Sequence, residues 1–143
     1  MSIISEHVMI VMVEDDDGHA KLIEKNLRRA GISNEITHLN TGSKAINYLF
    51  ENGREGQQML ILLDLNLPEV DGYEILERLK KDENTKNLPV IVLTTTDNPK
   101  EINRCYDLGC NVYITKPVEY ESFSAAIQKL GLMLSVVRLP NHK

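Results

Sequence analysis

A chain of 143 residues, 42% hydrophobic and 26% charged, has the composition of one soluble globular domain, too rich in apolar side chains for disorder. Its 16 lysines and arginines against 21 aspartates and glutamates leave a net charge of -5 and no local basic patch, so nucleic acid is not an expected partner. No secretory pattern opens the chain and no apolar run reaches bilayer length; the expected location is the cytoplasm, without membrane contact.

The segment HVMIVMV (7–13) is an unbroken apolar run of strand length, and Ala20, Ile23, Leu27 and Ala30 then recur at helical spacing up to Gly31. Asp17 is the expected cap of that helix. NEITHL (34–39) reads as a short mixed strand, followed by a helix that opens at Thr41 and carries Ala45, Ile46, Leu49 and Phe50 on one face. MLILL (59–63) is the third strand. Asp71 and Glu74 have capping-box spacing ahead of a helix with Ile75, Leu76 and Leu79. PVIVL (89–93) is the fourth strand. In the NPKE stretch after it, Asn98 can cap, Pro99 suits the first helical position, and Gly109 is the stop. NVYIT (111–115) is the fifth strand. A last helix spans about 119–135, with Phe123, Ile127, Leu130 and Leu134 in phase.

Strict alternation of five strands with five helices calls for an α/β fold, a doubly wound parallel sheet with helices on both faces. Strands buried on both faces read as unbroken apolar runs, whereas edge strands are mixed. The second and fifth are the mixed ones, so they belong at the edges. The flavodoxin-like order 2-1-3-4-5 satisfies this. Cys105 and Cys110 lack metal-site spacing and read as free structural thiols, and His7, His19, His38 and His142 form no ligand cluster along the sequence.

Ligands of such sheets bind beyond the carboxyl ends of the strands, near the point where strand order reverses. Glu14 and Asp15 follow the first strand, Asp64 the third, Thr94 the fourth and Lys116 the fifth, so all five side chains should meet on one rim. Three carboxylates about 4 Å apart repel by about 1 to 4 kcal/mol per pair at a protein surface. They need cations. Lys116 supplies one, and a divalent ion held nearest Asp15 and Asp64 would complete neutrality; an all-oxygen ligand set suits Mg²⁺ or Mn²⁺. Asp64 is then placed to act as a nucleophile toward phosphorus, with Lys116, Thr94 and backbone N–H groups facing the new charge.

VEDD (13–16), LLDLNLPEVDG (62–72), VIVLTTT (90–96) and YITKP (113–117) resemble, in order and placement, the receiver domain of two-component response regulators. The resemblance spans about 7–131. It implies that Glu14 and Asp15 are the acidic pair with Asp15 a direct metal ligand, that Asp64 is the phosphoacceptor, and that Asn66 offers its backbone carbonyl to the metal. It further implies Thr94 as the switch hydroxyl, Tyr113 as the switch aromatic, Lys116 as the phosphate-binding lysine and Pro117 as a cis proline. Thr95 stands where the family is commonly smaller, which would restrict access to the phosphoryl group, and Thr96 stands where side chains tune the attacking water.

The expected function is therefore that of a non-enzymatic, stand-alone response regulator. A sensor histidine kinase phosphorylates Asp64, and the face made by the fourth helix, fifth strand and fifth helix changes shape. LGLMLSVVRLP (130–140) carries more apolar surface than one helix face can place on its own sheet. Residues 1–143 are thus expected as a single domain with 132–143 as a C-terminal arm. Gly131 is a point where the last helix could bend. The tail resembles that of regulators partnered with bacterial phytochromes, which implies a phytochrome-type kinase and a homodimer through the face just named. Two rivals are a phosphorylation-independent adaptor and an aspartyl-phosphate phosphatase; the latter would want an acid where Asn66 stands.

Overall fold

The computed structural model describes residues 7–51 and 57–138, with side chains through Leu130. Among them the elements run β1 (Met9–Val13), α1 (Asp17–Arg29), β2 (Ile36–Leu39), α2 (Gly42–Phe50), β3 (Met59–Leu63), α3 (Gly72–Lys81), β4 (Val90–Thr94), α4 (Pro99–Leu108), β5 (Val112–Thr115) and α5 (Tyr120–Arg138). The five strands form one parallel sheet in the order β2-β1-β3-β4-β5, as the apolar patterning predicts.

Side chains alternate across each strand, so the central strands feed two cores at once. Ile10, Met12, Leu60, Leu62, Ile91 and Leu93 point to the layer of α1 and α5, where they meet Ile23, Leu27, Phe123 and Ile127. Val11, Val13, Ile61, Leu63, Val90 and Val92 point to the opposite layer, against Leu49 of α2, Ile75 and Leu79 of α3 and Cys105 of α4. Each such aliphatic or aromatic side chain contributes about 1.5 to 3 kcal/mol on full burial. Both cysteines are free and buried, and burial pushes the Cys110 thiol up to about 12.

Capping chemistry sets most helix ends. Asn98 accepts from the Lys100 N–H, Pro99 occupies the first turn of α4, and Gly109 stops the helix at φ 109. There the Gly109 N–H donates to the Tyr106 carbonyl and the Cys110 N–H to the Cys105 carbonyl, closing the C-terminus. Thr41 caps α2 and Asp71 caps α3. At α1 the cap is Asp16, not Asp17. The Asp16 backbone is extended, its N–H donates to the Glu14 carboxylate, and its own carboxylate accepts from the His19 N–H, which moves Asp17 into the first turn.

Further boundaries differ from expectation: the fourth strand is shifted by one residue, to Val90–Thr94, and the fifth begins one residue later, at Val112. The first strand begins at Met9 rather than residue 7. The second begins at Ile36, because Asn34 turns its side-chain amide to the Val8 carbonyl while its own carbonyl accepts from Arg28. The last helix continues through Gly131 to Arg138. The side chains of Leu132, Met133, Leu134, Val136 and Val137 lie outside the described ones, as do residues 139–143 of the expected arm. No described helix is long and apolar enough to cross a membrane.

Candidate functional site

Strand register brings the site together. Val13 pairs with Leu63, Leu63 with Val92, and Thr94 with Thr115, so Glu14, Asp64, Thr94 and Lys116 emerge along one rim of the sheet. The Asp64 N–H donates to the Val13 carbonyl at 3.0 Å and the Lys116 N–H to the Thr94 carbonyl at 2.7 Å, which fixes where those side chains leave the strands. The loop after β3 is held by Gly72, whose N–H donates to the Leu65 carbonyl. A β-carbon at position 72 would lie 2.5 Å from the Leu65 α-carbon, so only glycine allows that approach.

Glu14, Asp15 and Asp64 each offer a carboxylate oxygen, and these oxygens all lie within 4.8 Å of one another. Lys116 places its ammonium 2.6 Å from Glu14 Oε1 and 3.3 Å from Asp64 Oδ2. Glu14 is 1% exposed. Burial pushes its carboxyl above the usual carboxylate range; the Lys116 hydrogen bond pulls it down, and the negative charge of Asp64 pushes it up again. The 2.6 Å ion pair therefore does not fully offset desolvation and like-charge repulsion. One ammonium against three carboxylates leaves a local charge of about -2. Such an oxygen set, partly open to water through exposed Asp15, fits a hard divalent cation such as Mg²⁺.

Beside the acids, the Asn66 amide donates to the Thr94 hydroxyl at 2.9 Å and to the Thr95 hydroxyl at 3.2 Å, while the Asn66 N–H donates to Asp64 Oδ1 at 3.0 Å. Asn66 thus engages the site through its side chain as well as its backbone, a link not visible in its sequence position. Thr95 is exposed, at the mouth. Tyr113 is partly buried and stands apart from the carboxylates: its hydroxyl donates to the Thr96 carbonyl at 2.6 Å, tying β5 to the loop before α4. Its own N–H donates to the hydroxyl of Tyr106. The Lys116–Pro117 peptide is cis.

Two histidines border the site that their scatter along the chain does not reveal. His38 of β2 donates from Nε2 to the Glu14 carbonyl at 2.7 Å, given that a carbonyl can only accept. His19 in the first turn of α1 lies with Nδ1 3.0 Å from the Lys116 ammonium. The usable signal was the helix following directly after an acidic pair, because its first-turn side chains must face the same rim.

A family model described as the response regulator receiver domain matches residues 10–128 of this geometry-bearing chain. The chain belongs to the response regulator receiver family. This receiver is 34% identical over 136 residues to response regulator Rcp1 of Synechocystis, covering 92% of each chain. Among solved structures it superposes with a TM-score of 0.78 on a receiver domain from Rhodospirillum rubrum, at 57% identity over 90% of this chain and 94% of that one. The phosphorylated cyanobacterial phytochrome response regulator RcpA gives a TM-score of 0.72 at 34% identity, covering 92% of this receiver and 96% of RcpA. Rcp1 has also been solved in an Mn²⁺-bound form, with a TM-score of 0.71 at 34% identity and 86% and 91% of the two chains covered.

Proposed function

We propose that this receiver works in the cytoplasm as a phosphorylation-dependent switch, accepting a phosphoryl group on Asp64 from a phosphohistidine of a sensor kinase. The observation that carries the reading is the position of Lys116, whose ammonium bridges buried Glu14 and Asp64 within the acidic cluster. In the transfer, a carboxylate oxygen of Asp64 forms a bond to phosphorus as the P–N bond to the donor imidazole breaks, and later hydrolysis frees phosphate and restores the carboxylate. Asp15, Asp64 and the Asn66 carbonyl would hold a divalent cation, with Glu14 beside them; bound there, it would neutralise charge on the phosphoryl oxygens. Lys116 would pair with one phosphoryl oxygen, and Thr94, once released from Asn66, with another.

The reaction changes a surface rather than a substrate, so the receiver is read as a signalling partner and not an enzyme. A turn of Thr94 toward the phosphoryl group draws on the β4–α4 loop, to which Tyr113 is bonded through Thr96, and so reaches the α4–β5–α5 face. Tyr106 stands 46% exposed on that face. We take it, with the arm at 132–143, as the homodimer surface. Likeness to phytochrome response regulators supports a phytochrome-type kinase as donor. A cleft of about 190 Å³ lined by His19, Leu22, Ile23, Lys116, Pro117 and Val118 opens beside the ammonium and gives a protein donor apolar surface to meet.

Incubation with acetyl phosphate and Mg²⁺ tests the switch. The intact mass should rise by one phosphoryl group, and Asp64→Asn should abolish the rise; an unchanged mass in the parent protein favours the adaptor reading. Light scattering with and without beryllofluoride tests the dimer, and a monomer in both states would overturn it.

A further inference from the structure

Lysine has three N–H donors and no acceptor, and in this receiver all three donors of Lys116 have a partner in reach: Glu14 Oε1 at 2.6 Å, His19 Nδ1 at 3.0 Å and Asp64 Oδ2 at 3.3 Å. Because an ammonium only donates, Nδ1 of His19 must be the unprotonated ring nitrogen, with the proton on Nε2. A phosphoryl oxygen arriving at Asp64 then finds an ammonium with its donors already engaged. One bond must be given up.

The surroundings decide which. Glu14 is sealed, with a side chain 1% exposed, and withdrawing its ammonium would strand a buried charge. Asp64 carries the incoming group on one carboxylate oxygen, and the other oxygen stays beside the ammonium, so that bond is kept. His19 is different: its side chain is 49% exposed, so water replaces the lysine at small cost. Its backbone is also held independently, through the N–H bonded to the Asp16 carboxylate, so the ring can swing without loosening α1.

We propose that His19 is a positioning residue that parks Lys116 in the resting receiver and is the ligand exchanged for a phosphoryl oxygen, so that it sets how readily Asp64 is modified. The proposal rests on the reading of Asp64 as phosphoacceptor and names one residue that regulates it.

Asparagine and leucine separate the role from mere structure. In asparagine the side-chain carbonyl oxygen sits as many bonds from Cβ as Nδ1 does in histidine, so His19→Asn keeps an acceptor for Lys116. His19→Leu has similar bulk and removes it. With Mg²⁺ present, half-saturation by beryllofluoride is expected about threefold to tenfold lower for His19→Leu than for the parent, the worth of one partly solvated charge-assisted hydrogen bond, with His19→Asn within about twofold of the parent. His19→Leu equal to the parent, or weaker, would overturn the proposal.

A second readout needs neither metal nor phosphoryl mimic. Long-range ¹H–¹⁵N spectra of the metal-free protein at mildly alkaline pH should show His19 as the Nε2–H tautomer. The Nδ1–H tautomer would overturn the parked state. Should the parent protein not respond to beryllofluoride at all, the reading of Asp64 fails, and these spectra still judge the His19–Lys116 bond by itself.

Discussion

The Asn66 amide donates to the Thr94 hydroxyl at 2.9 Å, so the loop that follows the central strand is fastened to the end of its neighbour directly beside three carboxylates. The residue two positions after Asp64 therefore controls both the charge of the cluster and the freedom of the hydroxyl. Asn66→Asp would add a fourth negative group. The metal-free protein is expected to lose about 1 to 2 kcal/mol of stability, and added Mg²⁺ to restore more in the variant than in the parent. Urea unfolding with and without Mg²⁺ measures both; equal Mg²⁺ dependence in the two proteins would speak against a cation among these acids.

Lys116 is the cation within ion-pair distance of both Glu14 and Asp64, and both pairs are buried. Lys116→Met keeps much of the side-chain volume but leaves two carboxylates uncompensated, which costs about 3 kcal/mol in comparable buried pairs. Mg²⁺ should recover part of the loss. A change below about 1 kcal/mol in metal-free urea unfolding would mean that the ammonium is not needed to hold the acids together.

Gly72 is where helix α3 meets the loop that carries the site. Gly72→Ala forces a methyl group to 2.5 Å from the Leu65 α-carbon and 2.8 Å from its carbonyl oxygen, both parts of the main chain. A loss of about 2 to 3 kcal/mol is expected, with weaker Mg²⁺ binding because the Asp64–Leu65 segment must shift. Gly31→Ala is the control: its β-carbon meets open space at φ 86, and the cost should be near 1 kcal/mol with Mg²⁺ binding unchanged.

Tyr113 gives a pH signature. Burial, with the charges of Cys105, Glu101 and Asp97, raises its phenol from 10.0 to about 12. A group whose folded value is raised stabilises the native state below its unfolded value and loses that contribution as pH climbs to the folded one. The parent protein should exceed Tyr113→Phe by about 1 kcal/mol at neutral pH, the worth of the bond to Thr96, and the advantage should fade between about pH 10 and 12. Urea unfolding across that range checks it, and an advantage that persists at the upper end would contradict the assignment.

The sheet was readable in the sequence because burial on both faces makes β1 and β3 wholly apolar and β4 apolar up to Thr94 at its end, while β2 and β5, lying at the edges, are mixed. Local chemistry at Asn98, Pro99, Gly109, Thr41 and Asp71 gave the helix ends for the same reason: each cap is satisfied within a few residues. Three successive aspartates are a different case. Asp15, Asp16 and Asp17 have equal capping chemistry, and the choice falls to Asp16 because the buried Glu14 carboxylate holds its N–H.

His19 stands in the first turn of α1, one residue before buried Ala20, and reaches Lys116 of the neighbouring loop only through the fold, with no spacing in the sequence announcing it. Asn66 was legible as a site residue, but the direction of its amide depends on how close β4 lies, a tertiary fact. Toward the C-terminal end of α5, Gly131 read as a point where the helix could bend, because glycine costs about 1 kcal/mol inside a helix; the helix continues through it to Arg138.

The chemistry of the acceptor gives the most direct test. After treatment with acetyl phosphate and Mg²⁺, an acyl phosphate is reduced by borohydride to an alcohol, so the modified aspartate becomes homoserine and can be located by peptide mass mapping. Homoserine at position 64, absent when Mg²⁺ is withheld and in Asp64→Asn, is the expected result. Homoserine at Asp15 or another acid, or none at any position, would contradict the assignment of Asp64 as the phosphoacceptor.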